Sequence, residues 1–292
     1  MSNIDKILPS NNEVFDPMKT FEIFGYTNVR RASDLEKGNH QIFYGKKNGI
    51  ECVLKFIDIT DDIVVNQKVL AKEEYCYKHL PKKYLLDLME INFDYKFLAT
   101  KRWDLLNIHI DKETINDIIS LRLETLSQIA ADGLPEVNWE HYLKIFNFLF
   151  ELEKLGIIKN ANGIVGIFQE NRDLIMNYTK GFSHGDFSLR NIKKHDNNLV
   201  VYDFEYACQE NPMFDLATFY AEIKGDSVNE EYFMEKANNY LLFNKKLFDL
   251  MKIRRSVLLL YAFRKRESSH PVRQKYEPVF NDAASDLLNE DK

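Results

Sequence analysis

The chain has 292 residues, 45% of them apolar and 29% charged, which specifies a globular protein with a substantial core and excludes the disordered and fibrous classes. A formal net charge of −6 argues against nucleic acid as a partner, because a phosphate backbone selects basic surfaces. Cys52, Cys76 and Cys208 are odd in number and lack C-x-x-C spacing, so neither a disulfide framework nor a zinc site is expected. In chain order, Asp16-Pro17 combines an N-cap with proline at the first helical position and predicts a short helix ending near Gly25. Residues 27–58 are strand-like, and Asn48-Gly49 marks a tight hairpin because both residues tolerate positive φ. A helix over 63–80 is stopped by Pro81, and two further strands are expected over 85–93 and 96–102.

Beyond Trp103 the texture is mainly helical. Trp139, Leu143, Phe146, Leu149 and Leu152 recur at helical spacing and are expected to face a core. Leu247, Leu250, Met251, Val257 and Leu258 do so more loosely. The expected class is therefore α+β, with a small antiparallel-sheet lobe over 1–102 and a larger, mainly helical lobe over 103–292. No basic-then-apolar leader opens the sequence, and the apolar stretch at 257–263 is too short to span a bilayer. With unpaired cysteines, these features point to the cytoplasm.

The chemistry is concentrated in 182–220. His184-x-Asp186-x-x-x-x-Asn191 is followed by an apolar strand leading into Asp203-Phe204-Glu205, and then by Asp215-Leu216-Ala217. Phosphoryl transfer needs positioning and charge neutralisation more than covalent help. Asp186 suits the role of a base that accepts the proton of an attacking hydroxyl. Asn191 and Asp203 suit a Mg2+ site, one amide and one carboxylate oxygen completed by phosphates and water.

This block resembles the aminoglycoside phosphotransferase and choline kinase family, distant relatives of protein kinases. The family pattern is H-G-D-x-x-x-x-N, then D-x-E or D-x-D, then D-L-A. His184, Gly185, Asp186, Asn191, Asp203, Glu205 and Asp215 meet every fixed position. The resemblance implies a two-lobed, protein-kinase-like fold binding ATP (with GTP left open) and Mg2+, with Asp186 catalytic and Asn191, Asp203 and Glu205 at the metal. It also implies a nucleotide-binding lysine, matched by Lys55 in Val53-Leu54-Lys55-Phe56, and an acidic partner for it, matched by Glu73 with Glu74 as the adjacent competitor. Gly38 would contribute to a phosphate loop, although no G-x-G-x-x-G is present, and the segment from Thr100 through Arg102 to Trp103 would meet the nucleobase.

Three features separate the sequence from protein kinases. Gly185 replaces the usual arginine, Glu205 replaces the glycine of D-F-G, and only eleven residues lie between Asp203 and Asp215. A small molecule bearing a hydroxyl is thus the expected acceptor. Asp203-Phe204-Glu205-Tyr206-Ala207 is similar to bacterial choline and ethanolamine kinases, which makes a cationic acceptor one option. Trp139, Tyr142, Tyr206 and Tyr220 are candidate wall residues for it. An aminoglycoside would instead require exposed carboxylates, for which Asp226, Glu230 and Glu231 are candidates unless they merely begin a helix. The alternative from another class is a kinase-like module that binds nucleotide without turnover. Oligomeric state is left open by the sequence.

Overall fold

A computed structural model describes residues 16–32, 40–57, 63–178 and 180–290. It divides into two compact units, Met1–Ala71 with Leu86–Trp103, and Lys72–Leu85 with Asp104–Lys292. Gly38 lies outside the described residues.

The first unit is built on a five-stranded antiparallel sheet of order β1-β2-β3-β5-β4. Its strands are β1 (Thr27–Arg31), β2 (Gln41–Lys47), β3 (Ile50–Phe56), β4 (Leu88–Asn92) and β5 (Phe97–Lys101). Asn48 and Gly49 turn β2 into β3 at φ 52° and 79°, the left-handed pair a two-residue hairpin requires. Helix α1 (Pro17–Ile23) begins as its sequence dictates, with the Asp16 carboxylate accepting from the Met18 N–H at 3.0 Å. Alternation on β3 sends Cys52, Leu54 and Phe56 to one face, where they meet Phe21, Tyr26, Phe43, Phe97 and Ala99 in a buried cluster. Lys55 therefore belongs to the opposite face, opposite Ile42 on β2 and Leu98 on β5.

Helix α2 (Ile63–His79) contributes its first part to the sheet unit and its second part to the other. The second unit is mainly helical, with α3 (Lys112–Ser120), α4 (Trp139–Lys154), α5 (Ala161–Glu170), α6 (Arg172–Asn177), α7 (Pro212–Ile223), α8 (Ser227–Ala237), α9 (Lys245–Ala262) and α10 (Pro271–Glu290). Four short strands sit among them: β6 (Gly181–Ser183) pairs with β9 (Cys208–Glu210), and β7 (Ile192–His195) with β8 (Asn198–Val201). Helix α9 is the centre of this unit and packs against α4, α7 and α10. The α+β class expected from the sequence is borne out. One detail of α4 differs: its buried stripe is Tyr142, Ile145, Phe146, Leu149 and Leu152, whereas Leu143 is exposed. Leu143 lies only one residue from Tyr142, about 100° around the helix, so both cannot share the buried stripe. Among the described residues no helix is long and apolar enough to cross a membrane.

Phe97 is fully buried at the centre of the sheet unit, 5.2 Å from the ring of Phe21 and 5.3 Å from that of Phe24. Replacing it with alanine removes these contacts and leaves a cavity, so Phe97→Ala is expected to cost about 3–5 kcal/mol. Urea denaturation checks this, and an unchanged midpoint would show that the aromatic cluster is not what holds the sheet.

Candidate active site

The His184-Gly185-Asp186 segment leaves the end of β6, and α7 starts just after β9, so the pairing of these two strands brings the first turn of α7 against the loop. Asn211 caps α7 by accepting from the Met213 N–H at 2.8 Å. Asp215, fully buried in that first turn, becomes the anchor of the loop. Its Oδ1 accepts from the Ser183 hydroxyl at 2.9 Å and the Gly185 N–H at 3.0 Å, and its Oδ2 from the His184 N–H at 2.9 Å. The charge is matched by Arg122, also fully buried, whose Nε lies 2.9 Å from Oδ2 while its Nη2 donates to the Phe182 carbonyl at 2.7 Å. Arg122 comes from a π-helical turn, Leu121–Thr125, that continues α3.

Gly185 is a glycine for two reasons. Its φ is +76°, and an added Cβ would collide with the Tyr206 carbonyl oxygen while sitting 2.8 Å from the carbonyl carbon. His184 is a buried brace. Its Nδ1 accepts from the Asp186 N–H at 3.3 Å, so Nε2 carries the hydrogen and donates to the Tyr202 carbonyl at 3.0 Å.

Asp186 is 8% exposed and is surrounded by donors. Buried Arg255 of α9 binds Oδ1 through Nη2 in a very short contact and the Gly185 carbonyl through Nη1 at 3.3 Å. Oδ2 accepts from the Asn191 amide at 3.0 Å and from Arg190 at 3.2 Å. The Asn191 amide also donates to the Asp186 carbonyl at 3.0 Å, so its nitrogen is committed and its oxygen is the atom left to face a cation.

The β7–β8 hairpin explains why two residues twelve apart in sequence are neighbours. Asp196 and Asn197 turn the chain at φ 47° and 63°, Ile192 pairs with Val201, and the Tyr202 N–H donates to the Asn191 carbonyl at 3.2 Å. Asp203 follows at once, in left-handed conformation with φ 69°. Phe204, fully buried, pins the turn: its ring is 5.1 Å from His184 and 6.0 Å from Tyr77 of α2. Lys72 of the same helix donates to the Glu205 carbonyl at 2.9 Å. Glu73 is fully buried, while Glu74 lies toward the surface with Lys78 at 2.8 Å, so α2 separates the two adjacent acids cleanly. Burial pushes the Tyr77 phenol well above its ordinary range, and the charges of Glu73 and Asp203 act in the same direction.

In the sheet unit, Val53 pairs with Thr100 and Lys55 with Leu98, so Lys55 and buried Thr100 share one face. Arg102 follows β5, donates its N–H to the Glu51 carbonyl at 2.8 Å and lays its guanidinium 4.4 Å from the Tyr44 ring centroid. The candidate wall aromatics do not form an open cage. Trp139 stacks on Tyr142 at 5.3 Å with Arg172 over its ring, and Tyr142 has Arg254 over its own. Tyr220 is buried beneath Lys252 and donates to Glu230 at 2.6 Å. Tyr206 is 57% exposed. Asp226 caps α8, and Glu230 also accepts from Lys224 and the Gly225 N–H at 2.7 Å each, so these two carboxylates organise a helix start; Glu231 is exposed beside them.

Sequence reasoning passed over the arginines. Arg122, Arg254 and Arg255 are all nearly or fully buried. The signal was present in Met251-Lys252-Ile253-Arg254-Arg255-Ser256-Val257, where three cations interrupt a core helix; buried cations demand buried acids. Burial pushes the Cys208 thiol up to about 12 and Cys76 well above its ordinary value, which disfavours the thiolate at both.

The sheet unit and the mainly helical unit are those of a protein-kinase-like α+β fold. Residues 110–252 match the family model for choline/ethanolamine kinase. Choline kinase LicA from Streptococcus pneumoniae is similar at TM-score 0.63, with 16% identity over 91% of this chain and 96% of that one. Aminoglycoside phosphotransferase APH(4)-Ia, as a thermostable mutant in ternary complex with ADP and hygromycin B, gives TM-score 0.58 and 13% identity over 92% and 97%. A choline/ethanolamine kinase family protein from Mesorhizobium loti gives 0.55 and 13% over 91% and 90%. At these identities the solved structures establish the fold. No curated protein matches the sequence. The family model and the shared fold together support the aminoglycoside phosphotransferase and choline kinase family, as the motif block implied.

Removing Asp215 would leave Arg122 charged and uncompensated in a fully buried position and would free three donors of the loop. Asp215→Ala is therefore expected to lose about 3–5 kcal/mol of stability. Thermal and urea unfolding of the variant measure it; a loss below about 1 kcal/mol would mean the loop has another anchor.

Proposed function

We propose that this chain is an ATP-dependent small-molecule kinase that transfers the γ-phosphate to a hydroxyl group of its acceptor. The observation that carries the reading is the convergence of Asp186, Asn191 and Asp203: one hairpin brings Asn191 back beside Asp203, and Asn191 in turn holds Asp186. Asp186 accepts the acceptor hydroxyl's proton through Oδ2, while Arg255 keeps Oδ1 fixed. A general base of this kind orients its substrate as well as deprotonating it.

Among the described residues no group of three or more His, Cys, Asp or Glu side chains is gathered to hold a metal ion alone. The donor set of Asn191, Asp203 and Glu205 fits Mg2+, a hard cation that takes few protein oxygens and shares the phosphates of its nucleotide. Mg2+ would supply neutralisation of the phosphate charge. In the sheet unit, Lys55 is assigned to the nucleotide phosphates, and Thr100 and Arg102 to the strand end that meets the base. Glu73, a buried acid of α2, is assigned the nucleotide-binding role that the resemblance implies. ADP in the related phosphotransferase structure is consistent with nucleotide binding.

A second reading, choline or ethanolamine kinase, is favoured by the family model over 110–252. Against a non-catalytic module stands the retention of Asp186, Asn191 and Asp203 together.

Two outcomes test the roles. Asp186→Ala is expected to lower turnover about 10²–10⁴-fold and to leave nucleotide affinity nearly intact; unchanged turnover sinks its role as base. Asp203→Ala is expected to abolish the Mg2+-dependent part of ATP binding in calorimetry. If the metal dependence survives, another residue is the principal ligand.

A further inference from the structure

We propose that Arg190 is a further catalytic residue, which leaves Asp186 when the acceptor arrives and binds the transferring phosphoryl group of the nucleotide. The proposal rests on the kinase reading above and concerns its donor side. It sets no condition on the charge of the acceptor, for which the exposed ring of Tyr206 stays available. Three arginines around the loop are committed to buried acids: Arg122 to Asp215, Arg254 to Glu210 and Arg255 to Asp186. Arg190 is different. Its side chain is 71% exposed, and its one ion pair among the described residues is to Asp186 Oδ2 at 3.2 Å. An exposed pair of that kind contributes little to stability. Asp186 would still hold Arg255 and the Asn191 amide without it.

The backbone of Arg190, by contrast, is fixed. The Tyr202 hydroxyl donates to its carbonyl at 2.5 Å, and the Asn191 N–H closes the turn by donating to the Ser188 carbonyl at 2.9 Å. Tyr202 immediately precedes Asp203, and Asn191 immediately follows Arg190. A guanidinium with a free path is thus rooted between the two residues assigned to the metal, and its tip rests on the base. An acceptor hydroxyl needs a lone pair of Oδ2, and the Asn191 amide already occupies one. Arg190 yields the other. The attacking oxygen then lies about 2.7 Å from Oδ2 and about 3–3.5 Å from Pγ, so a short swing of the exposed side chain carries the guanidinium to the phosphoryl oxygens. Its planar fork matches two of them. Asp203 and Glu205 favour such a cation, because their charges offset part of the Mg2+ charge that would neutralise the phosphates. In the transfer the acceptor oxygen bonds to Pγ, the bridging Pβ–O–Pγ bond breaks on the Pγ side, ADP departs, and the hydroxyl proton passes to Asp186. Arg190 stabilises the charge on the equatorial oxygens and exchanges no proton.

The test is calorimetric binding of Mg-ADP to the full chain with and without aluminium fluoride, which mimics the phosphoryl group in flight with water in the acceptor's place. Aluminium fluoride should tighten Mg-ADP binding. Arg190→Met, a surface change expected to fold, should remove a factor of about 10²–10³ from that gain, the usual worth of one donor aimed at developing charge. Its affinity for Mg-ADP alone should stay within about twofold, because ADP lacks the group that Arg190 contacts. Arg190→Lys should keep part of the gain, as a point charge without the fork. The loss should persist in an Asp186→Asn background, since Arg190 acts on the phosphoryl group itself. Four results overturn the proposal: no gain in the unsubstituted chain, a gain untouched by Arg190→Met, equal weakening of Mg-ADP alone, or a loss that vanishes in the Asp186→Asn background. The last would make Arg190 a positioning residue for the base and nothing more. With Mg-ADP still bound, each of these leaves the kinase reading standing, whereas absence of both Mg-ADP and Mg-ATP binding removes the two together.

Discussion

The ion pair between Arg122 and Asp215 is the interaction on which the rest of the site depends. Both side chains are fully buried, so neither charge has water to fall back on, and each must be satisfied by the protein. Asp215 uses its remaining lone pairs on two consecutive backbone N–H groups and a hydroxyl of the His184 loop. Burying this carboxylate therefore does two jobs: it neutralises Arg122, and it converts a strained loop into one with fixed donors. The loop that carries Asp186 has its backbone defined by Asp215.

Strain is placed where such anchoring can hold it. Gly185 at φ +76° and Asp203 at φ 69° both occupy left-handed conformation. At Gly185 the choice of residue removes the strain, and the missing side chain admits the Tyr206 backbone. At Asp203 a carboxylate is required, so the conformation has to be imposed by its neighbours. Phe204 is buried against His184 and Tyr77, and Lys72 holds the Glu205 carbonyl. A left-handed non-glycine residue costs of order 1–3 kcal/mol, which the burial of one phenylalanine ring offsets. This is a physical reason for the Phe between the two acids that the sequence motif alone does not supply.

Much of this was legible in the amino-acid sequence because local rules decide it. Asp16-Pro17 and Asn48-Gly49 act within four residues, and their helix start and turn formed as expected. The H-G-D and D-F-E spacing located the loop because a hairpin of fixed length joins Asn191 to Asp203. What stayed hidden was long-range pairing of charges. Arg122 lies 93 positions before Asp215, and Arg255 lies 69 positions after Asp186; neither partner can be chosen without the topology. The aromatic candidates illustrate the same limit. Trp139 and Tyr220 have the right chemistry for a cation cage, but the packing that closes their faces with Arg172 and Lys252 comes from elements dozens of residues away.

Helix α9 shows why such pairs are kept inside a core that apolar side chains could fill. Arg254 and Arg255 are adjacent, hence about 100° apart around the helix. Arg254 binds Glu210 at the end of β9, and Arg255 binds Asp186 just beyond β6. Since β6 and β9 pair with one another, the two arginines grip both strands of the same ladder. A leucine at either position would bury as much surface and avoid the desolvation of an ion pair, yet it would fit equally well after a small slide of α9. Two directional contacts to two different strands admit only one register. Because Arg255 ends on the Asp186 carboxylate, that register also sets which oxygen of Asp186 remains turned toward Arg190 and Asn191. The buried charges of α9 are thus the means by which the position of a helix is transmitted to the atom assigned to proton transfer.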